Sequence, residues 1–133
     1  MLNKIKEELL DIGIAGISRG NILITSKAAF NANYGDKVVL INSLGSINAA
    51  STADLMTQMT RITVWYKKDN DSIPENDQTY ADVLEVVEFI RNGLQHKLLT
   101  GMSSPLVLIN SIPVEHKDAY GRSMVFSYTE VLT

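Results

Sequence analysis

Apolar residues recur at helical spacing in two stretches of the chain. In residues 2–12 they lie three or four positions apart, and charged side chains fill the other face. The same spacing runs from residue 79 to about residue 99, where Asp77 or Thr79 can cap the start and Gly101 follows the end. We therefore predict an N-terminal helix and one long helix in the second half, both packed on a sheet.

Two stretches in the first half have the pattern of β-strands in addition to the short run 21–26. Residues 37–42 are apolar on both faces, which is typical of a central strand covered on both sides. Residues 60–68 alternate, which predicts one apolar face and one face carrying a large aromatic beside a charge. The first face would hold Ile62, Val64 and Tyr66, and the second Arg61, Thr63 and Trp65.

The chain closes with two predicted strands, 104–116 and 122–132, joined by a loop of about five residues at 117–121. Pro113 has no N–H to donate, so we expect the first of these strands at an edge. Its predicted apolar face is Leu106, Leu108, Ile112 and Val114, and that of the last strand is Met124, Phe126 and Tyr128, opposite Ser123, Val125, Ser127 and Thr129.

These elements predict one α+β domain spanning residues 1–133. Its sheet is expected to be mixed but mostly antiparallel. The N-terminal helix and the long helix pack on that sheet, and a C-terminal β-hairpin closes it.

Residues 43–59 are rich in Ser, Ala, Thr and Asn and look irregular. Most connections in compact domains run about 4–6 residues, so a loop of this length is usually functional or disordered. Two interpretations stay open: a solvated surface loop, or an arm that becomes ordered against a partner. Leu44, Ile47, Leu55 and Met56 favour the arm, because a purely solvated loop would not use them.

Composition narrows the classes of function. The chain has no cysteine, which removes disulfides, Cys-ligated metal and thiol catalysis. A net charge of −3 and the absence of a basic stripe argue against nucleic-acid binding. No apolar run approaches the ~20 residues of a membrane span. The N-terminus carries acidic residues and lacks a long apolar core, so we expect no signal peptide.

The candidate catalytic groups do not form a recognisable motif. His96 and His116 lie on different predicted elements, without the close spacing of metal ligands. Ser123, His116 and Asp118 are near one another in sequence, but the nucleophile elbow GxSxG is missing. The glycines of 13–20 fit neither a phosphate-binding loop nor a dinucleotide fingerprint. We therefore expect a protein that is not an enzyme and that holds no cofactor or metal.

Two segments, together with the order of the elements, resemble the tail-terminator proteins of long-tailed bacteriophages. "MTRITVWYKKDND" resembles the central strand that precedes their acidic loop and long helix. "LVLINSIPVEHKDAYGRSMVFSYTEVL" resembles their closing pair of strands. The resemblance implies a non-catalytic virion protein at the head-proximal end of the tail, made in the host cytoplasm. Such proteins form a ring, usually a hexamer, that caps the tail-tube protein, stops tube growth and offers its other face to the head-to-tail connector or neck protein.

Two other functions stay open: another neck or head-to-tail adaptor protein, or a small α+β ligand-binding or enzymatic domain with no recognisable site. A ring uses heterologous contacts, so one surface of a subunit meets a different surface of its neighbour. Trp, Tyr and Arg are enriched at such interfaces. The predicted interface residues are Leu44, Ile47, Leu55, Met56, Arg61, Trp65, Lys117, Asp118 and Tyr120.

Overall fold

The computed structural model describes residues 1–48, 55–69 and 78–131. It confirms the α+β class, with an N-terminal helix, one further helix and a five-stranded mixed sheet. The helices are α1 (Leu2–Ile12) and α2 (Gln78–Leu94), and the strands are β1 (Ile22–Ile24), β2 (Lys37–Asn48), β3 (Leu55–Lys67), β4 (Val107–His116) and β5 (Ala119–Val131).

The strand order is β1-β2-β3-β5-β4, so β3 occupies the centre of the sheet. β1 runs parallel to β2, and every other pair of neighbours is antiparallel. β4 lies at an edge, as Pro113 predicted, and β4 and β5 form the expected hairpin. β2 is buried on both faces from Val38 to Ile41, which confirms the prediction of a covered inner strand.

Both helices pack on the same face of the sheet, which we call the helix face. Alternation along β3 puts Ile62, Val64 and Tyr66 on this face, as predicted. Ile5 and Leu9 of α1 and the inner side of α2 close over them, and all belong to one buried cluster. The β5 side chains in this cluster are Tyr120, Met124, Phe126 and Tyr128.

The opposite face of the sheet carries a smaller buried cluster at one end. Trp65 lies there with Phe30, Val38, Leu40 and Ala119. Phe30 comes from the segment 25–36, which crosses over this end of the sheet. Trp65, which we predicted at an interface, is therefore covered by a neighbouring segment of its own chain.

The long helix is shorter than predicted. α2 ends at Leu94 rather than near residue 99, and His96 adopts a left-handed backbone with φ 65°. The backbone of His96 and Lys97 instead bonds to that of Leu106, at 2.8 and 2.9 Å. This pairing turns the chain back toward β4. Of the two predicted caps, Asp77 lies outside the described residues and Thr79 lies inside the helix, where it is buried.

The segment 43–59, expected to be an irregular loop, is mostly strand. Residues 43–48 extend β2 and residues 55–59 begin β3, and the two pair antiparallel past a bulge between Ser43 and Gly45. Residues 49–54 lie outside the described residues. Ser, Gly and Asn have weak strand preferences, so here the pairing with β3 overrides local preference.

Two details of the terminal hairpin also differ from the prediction. The connection is the two-residue turn of Lys117 and Asp118, rather than a five-residue loop. A bulge between Leu108 and Asn110 reverses the alternation in β4, so Leu108 packs with the helix-face core while Ile112 is 48% exposed on the other face. The predicted common apolar face of β4 is therefore wrong.

A substitution at Gly121 tests how closely the chain packs against Trp65. A Cβ at this position would lie 2.6 Å from Trp65 Cε3 and 2.7 Å from the carbonyl oxygen of Val64. Because the backbone oxygen cannot move aside easily, we expect Gly121→Ala to lower the free energy of unfolding by about 1–3 kcal/mol in urea titrations. Gly20→Ala is the control, since no atom lies within 4 Å of its added Cβ. Equal stability of the two variants would contradict this packing.

Candidate interaction surface

The structure separates the candidate catalytic residues. His116 pairs with Ala119 at the hairpin end, whereas Ser123 pairs with Ile112 further along. Four residues of strand span ~13 Å, so the imidazole and the hydroxyl do not meet. The Ser123 hydroxyl accepts from the Thr63 hydroxyl at 3.4 Å, and His116 Nδ1 accepts from the Asp118 N–H at 3.1 Å. Each group has a local partner within the sheet or the turn.

His96 belongs to the turn after α2 and is exposed. Among the described residues, no group of three or more His, Asp or Glu side chains is arranged to hold a metal ion. In the same part of the chain, no helix has both the length and the apolar character needed to cross a membrane.

The face of the sheet opposite the helices is uncovered beyond the Phe30–Trp65 cluster. No described element lies over this region, where Ile112 is 48% and Val107 is 38% exposed. Arg61 lies within it, half-buried and opposite Val125, and the other side chains of this region are apolar or neutral. We call it the open face, and it consists of Thr57, Met59, Arg61, Val107, Ile112, Val125, Ser127 and Thr129.

Asn42 lies at the border between the covered and the open parts of this face. It pairs with Arg61 of β3 and is only 5% exposed. Its Oδ1 is buried and accepts no hydrogen bond from the described residues. A buried acceptor without a donor costs about 1–3 kcal/mol, so this position is unfavourable for an amide side chain.

Several predicted interface residues lie near the open face or at the tip of the hairpin. Leu44 is 36% exposed at the bulge of β2, and Arg61 is half-buried. Lys117 and Asp118 are exposed in the hairpin turn. Leu55 and Met56 are half-buried in β3, while for Ile47 only the backbone, in β2, is described.

Trp65 and Tyr120, also predicted at an interface, are buried within the chain. The Trp65 indole N–H donates to the Ala28 carbonyl at 2.7 Å, and its ring centroid lies 5.8 Å from that of Phe30. The ring centroids of Tyr120 and Tyr80 lie 5.6 Å apart in a T-shaped arrangement, and Tyr120 is 4% exposed. Tyr120 is the second residue of β5 and points to the helix face, so it belongs to the core and not to the turn.

Sequence reasoning missed Val107 and Ile112 as exposed residues. The bulge that turns Ile112 outward has no clear sequence signal, and Val107 precedes that bulge. A weaker signal was present, because residues 98–114 contain no charged side chain in a chain that is 20% charged. A long uncharged run in an edge strand is unusual unless something covers it.

A concave region lies on the helix face, beside Tyr66. This cavity of about 350 Å³ is lined by residues of the α1 exit, the start of β2 and α2, including Lys37, Asp82, Glu85 and Phe89. Burial, together with the charges of Asp82 and Glu85, raises the pKa of Tyr66 to about 12. The phenol is therefore neutral at physiological pH, and the Lys37 ammonium lies 5.1 Å from the ring centroid.

The raised pKa of Tyr66 predicts a loss of stability in alkali. The unfolded chain releases this proton near pH 10 and the folded chain near pH 12. The stability that the neutral Tyr66 phenol contributes is therefore intact below pH 10 and is lost as pH rises through 12. We expect the free energy of unfolding to fall by about 1–3 kcal/mol more in the parent than in Tyr66→Phe over this interval. Urea titrations at several pH values measure it, with Tyr34→Phe as the control. An identical fall in Tyr66→Phe would contradict it.

No protein-family model matches the sequence, and neither does any curated protein.

Proposed function

We propose that this chain is a structural assembly protein of a long-tailed bacteriophage. It forms a ring with copies of itself, caps the tail tube, stops tube growth and provides the surface for attachment of the head or neck. The observation that carries the proposal is the open face, a mostly apolar and neutral sheet surface, with Arg61 within it, that the described residues of one chain leave bare.

The chemistry of the open face favours a protein partner. Apolar surface gains roughly 25 cal/mol per Å² when it leaves water, and Ile112 and Val107 are still substantially exposed. A sheet face is broad, whereas small molecules favour concave pockets that enclose most of their surface.

A second group of exposed apolar side chains lies on α2, on the other side of the molecule, and suits a ring. Phe89 is 49% exposed on the flank of α2 that faces the α1 exit and the start of β2, whereas Tyr80 (37%) and Leu84 (41%) lie on the opposite flank, beside Pro113 and Val114. When the open face of one copy meets the Phe89 flank of the next, the pair keeps one unused surface of each kind. Such head-to-tail contacts close into a ring when the rotation between copies permits it.

The remaining parts of the proposal come from the resemblance to tail terminators. It supplies the expected number of six copies, the tail-tube protein on one side of the ring and the connector or neck protein on the other. The same two surfaces also suit a related neck or head-to-tail adaptor, and imaging with tail tubes distinguishes the two roles. An enzymatic role has less support, because His116 and Ser123 are held apart in the hairpin.

A lysine introduced on either side of the proposed contact tests the ring. We expect Ile112→Lys and Phe89→Lys each to lose the six-copy assembly, because either change buries a lysine in the proposed contact. Leu98→Lys is the matched control, since Leu98 is 59% exposed and belongs to neither surface. Native mass spectrometry gives the number of copies, circular dichroism confirms folding, and electron microscopy shows whether the parent caps tail tubes.

Two results would contradict the proposal. One is a parent chain that neither forms a ring nor binds tail tubes. The other is an Ile112→Lys variant that assembles as well as Leu98→Lys does.

A further inference from the structure

The outer edge of β2 is only partly paired. β1 lies beside β2 at Val39–Ile41, and the last bond between them runs from the Thr25 N–H to the Ile41 carbonyl at 2.9 Å. β2 continues to Asn48, and no described strand lies along this extension. Six residues of strand, Ser43 to Asn48, span ~20 Å, which is the length of an ordinary strand.

The register shows which backbone groups face outward. The Ile41 carbonyl points to β1, so Ile41 and its β3 partner Ile62 do not bond to each other. Gln58 is four residues from Ile62 on β3 and therefore has the same orientation. Its partner Ser46 must then direct its N–H and carbonyl away from β3, toward the open edge. By the same alternation Asn48 points outward.

The opposite edge of the sheet is closed by several devices. The backbone of Leu106 bonds to His96 and Lys97, and the Leu108 N–H donates to Gln95 Oε1 at 2.7 Å. Pro113 has no N–H to offer. Natural proteins protect edge strands in such ways to prevent pairing between chains.

The β2 edge has the bulge at Ser43–Gly45 but no protection by charge or proline. Residues 38–53 contain no charged side chain and no proline, and Leu44 is 36% exposed. When the same strand meets itself about a twofold axis, any charge near that axis faces its own copy, and like charges directly opposite destabilise the pair. An uncharged edge is therefore compatible with pairing to itself.

We propose that a second copy of this chain adds to the sheet here, β2 against β2, antiparallel about a twofold axis near Ser46. The outward N–H and carbonyl of the two Ser46 residues would exchange hydrogen bonds, and the two sheets would become continuous. A second copy is the partner because the other long edge, β4, is closed, and twofold contacts are the commonest between identical chains. This contact goes beyond the proposed ring and requires only a second copy.

Hydrogen exchange in the Ile112→Lys background tests the pairing, because the proposed ring contact is disabled there. We expect this variant to form dimers, and the amides of Ser46 and Asn48 to exchange at least 10-fold more slowly at high than at low protein concentration. The Ile47 amide, which faces β3, should be protected at both concentrations. Adding Ser46→Pro should give monomers, since it removes the outward donor, while Ser46→Ala should leave the dimer intact.

Ser46→Lys provides a second variant in case the proline unfolds the strand. It places two ammonium groups opposite each other, so we expect a weaker dimer that high salt partly restores. The proposal is overturned if the Ser46 and Asn48 amides exchange equally at all concentrations, or if folded Ser46→Pro dimerises like Ser46→Ala. The copy number of the parent chain tests the ring separately in the same mass spectra.

Discussion

The alternation of side chains along β3 is the constraint on which the rest of the structure depends. β5 pairs with β3 along its whole length, from Leu55 to Lys67, and β2 pairs with most of β3 on the other side. A one-residue slip of this strand would exchange its two faces. It would move Ile62 and Val64 out of the helix-face core and put Arg61 and Thr63 in their place. The registers of β2 and β5 against β3, and the positions of both helices on the sheet, follow from this one pattern.

The two faces of the sheet differ in how completely the rest of the chain covers them. The helices close the helix face completely enough that Ile62, Ile90 and Phe126 are fully buried. On the other face, the Phe30–Trp65 cluster covers one end, and the open face is left with exposed Ile112 and Val107. The chain buries one side of its sheet thoroughly and leaves much of the other side exposed, and Arg61 is the charged residue of the open face among the described ones. This asymmetry connects the packing of the monomer to the proposed assembly.

Strong periodicity predicted the elements, whereas contacts distant in sequence decided their surfaces. The α2 pattern and the alternation of Ile62 with Val64 were readable because each is repeated over many residues. The burial of Trp65 was not, because its cover comes from Phe30 in a segment without periodicity. Ile112 was assigned to the wrong face because one extra residue in the β4 bulge reverses the alternation. The candidate surface therefore became visible only with the fold.

Methyl-resolved NMR of the assembling chain tests the central claim, that the uncovered sheet face is where protein partners bind. The spectra would follow the methyl groups of Ile112, Val107 and Val125 as protein concentration rises, with Ile90 in the core as the internal reference. We predict that the three open-face methyls shift and broaden and lose their sensitivity to a soluble paramagnetic probe, while Ile90 stays unchanged. If the assembled chain left these three methyls as accessible as in the monomer, the account would be wrong.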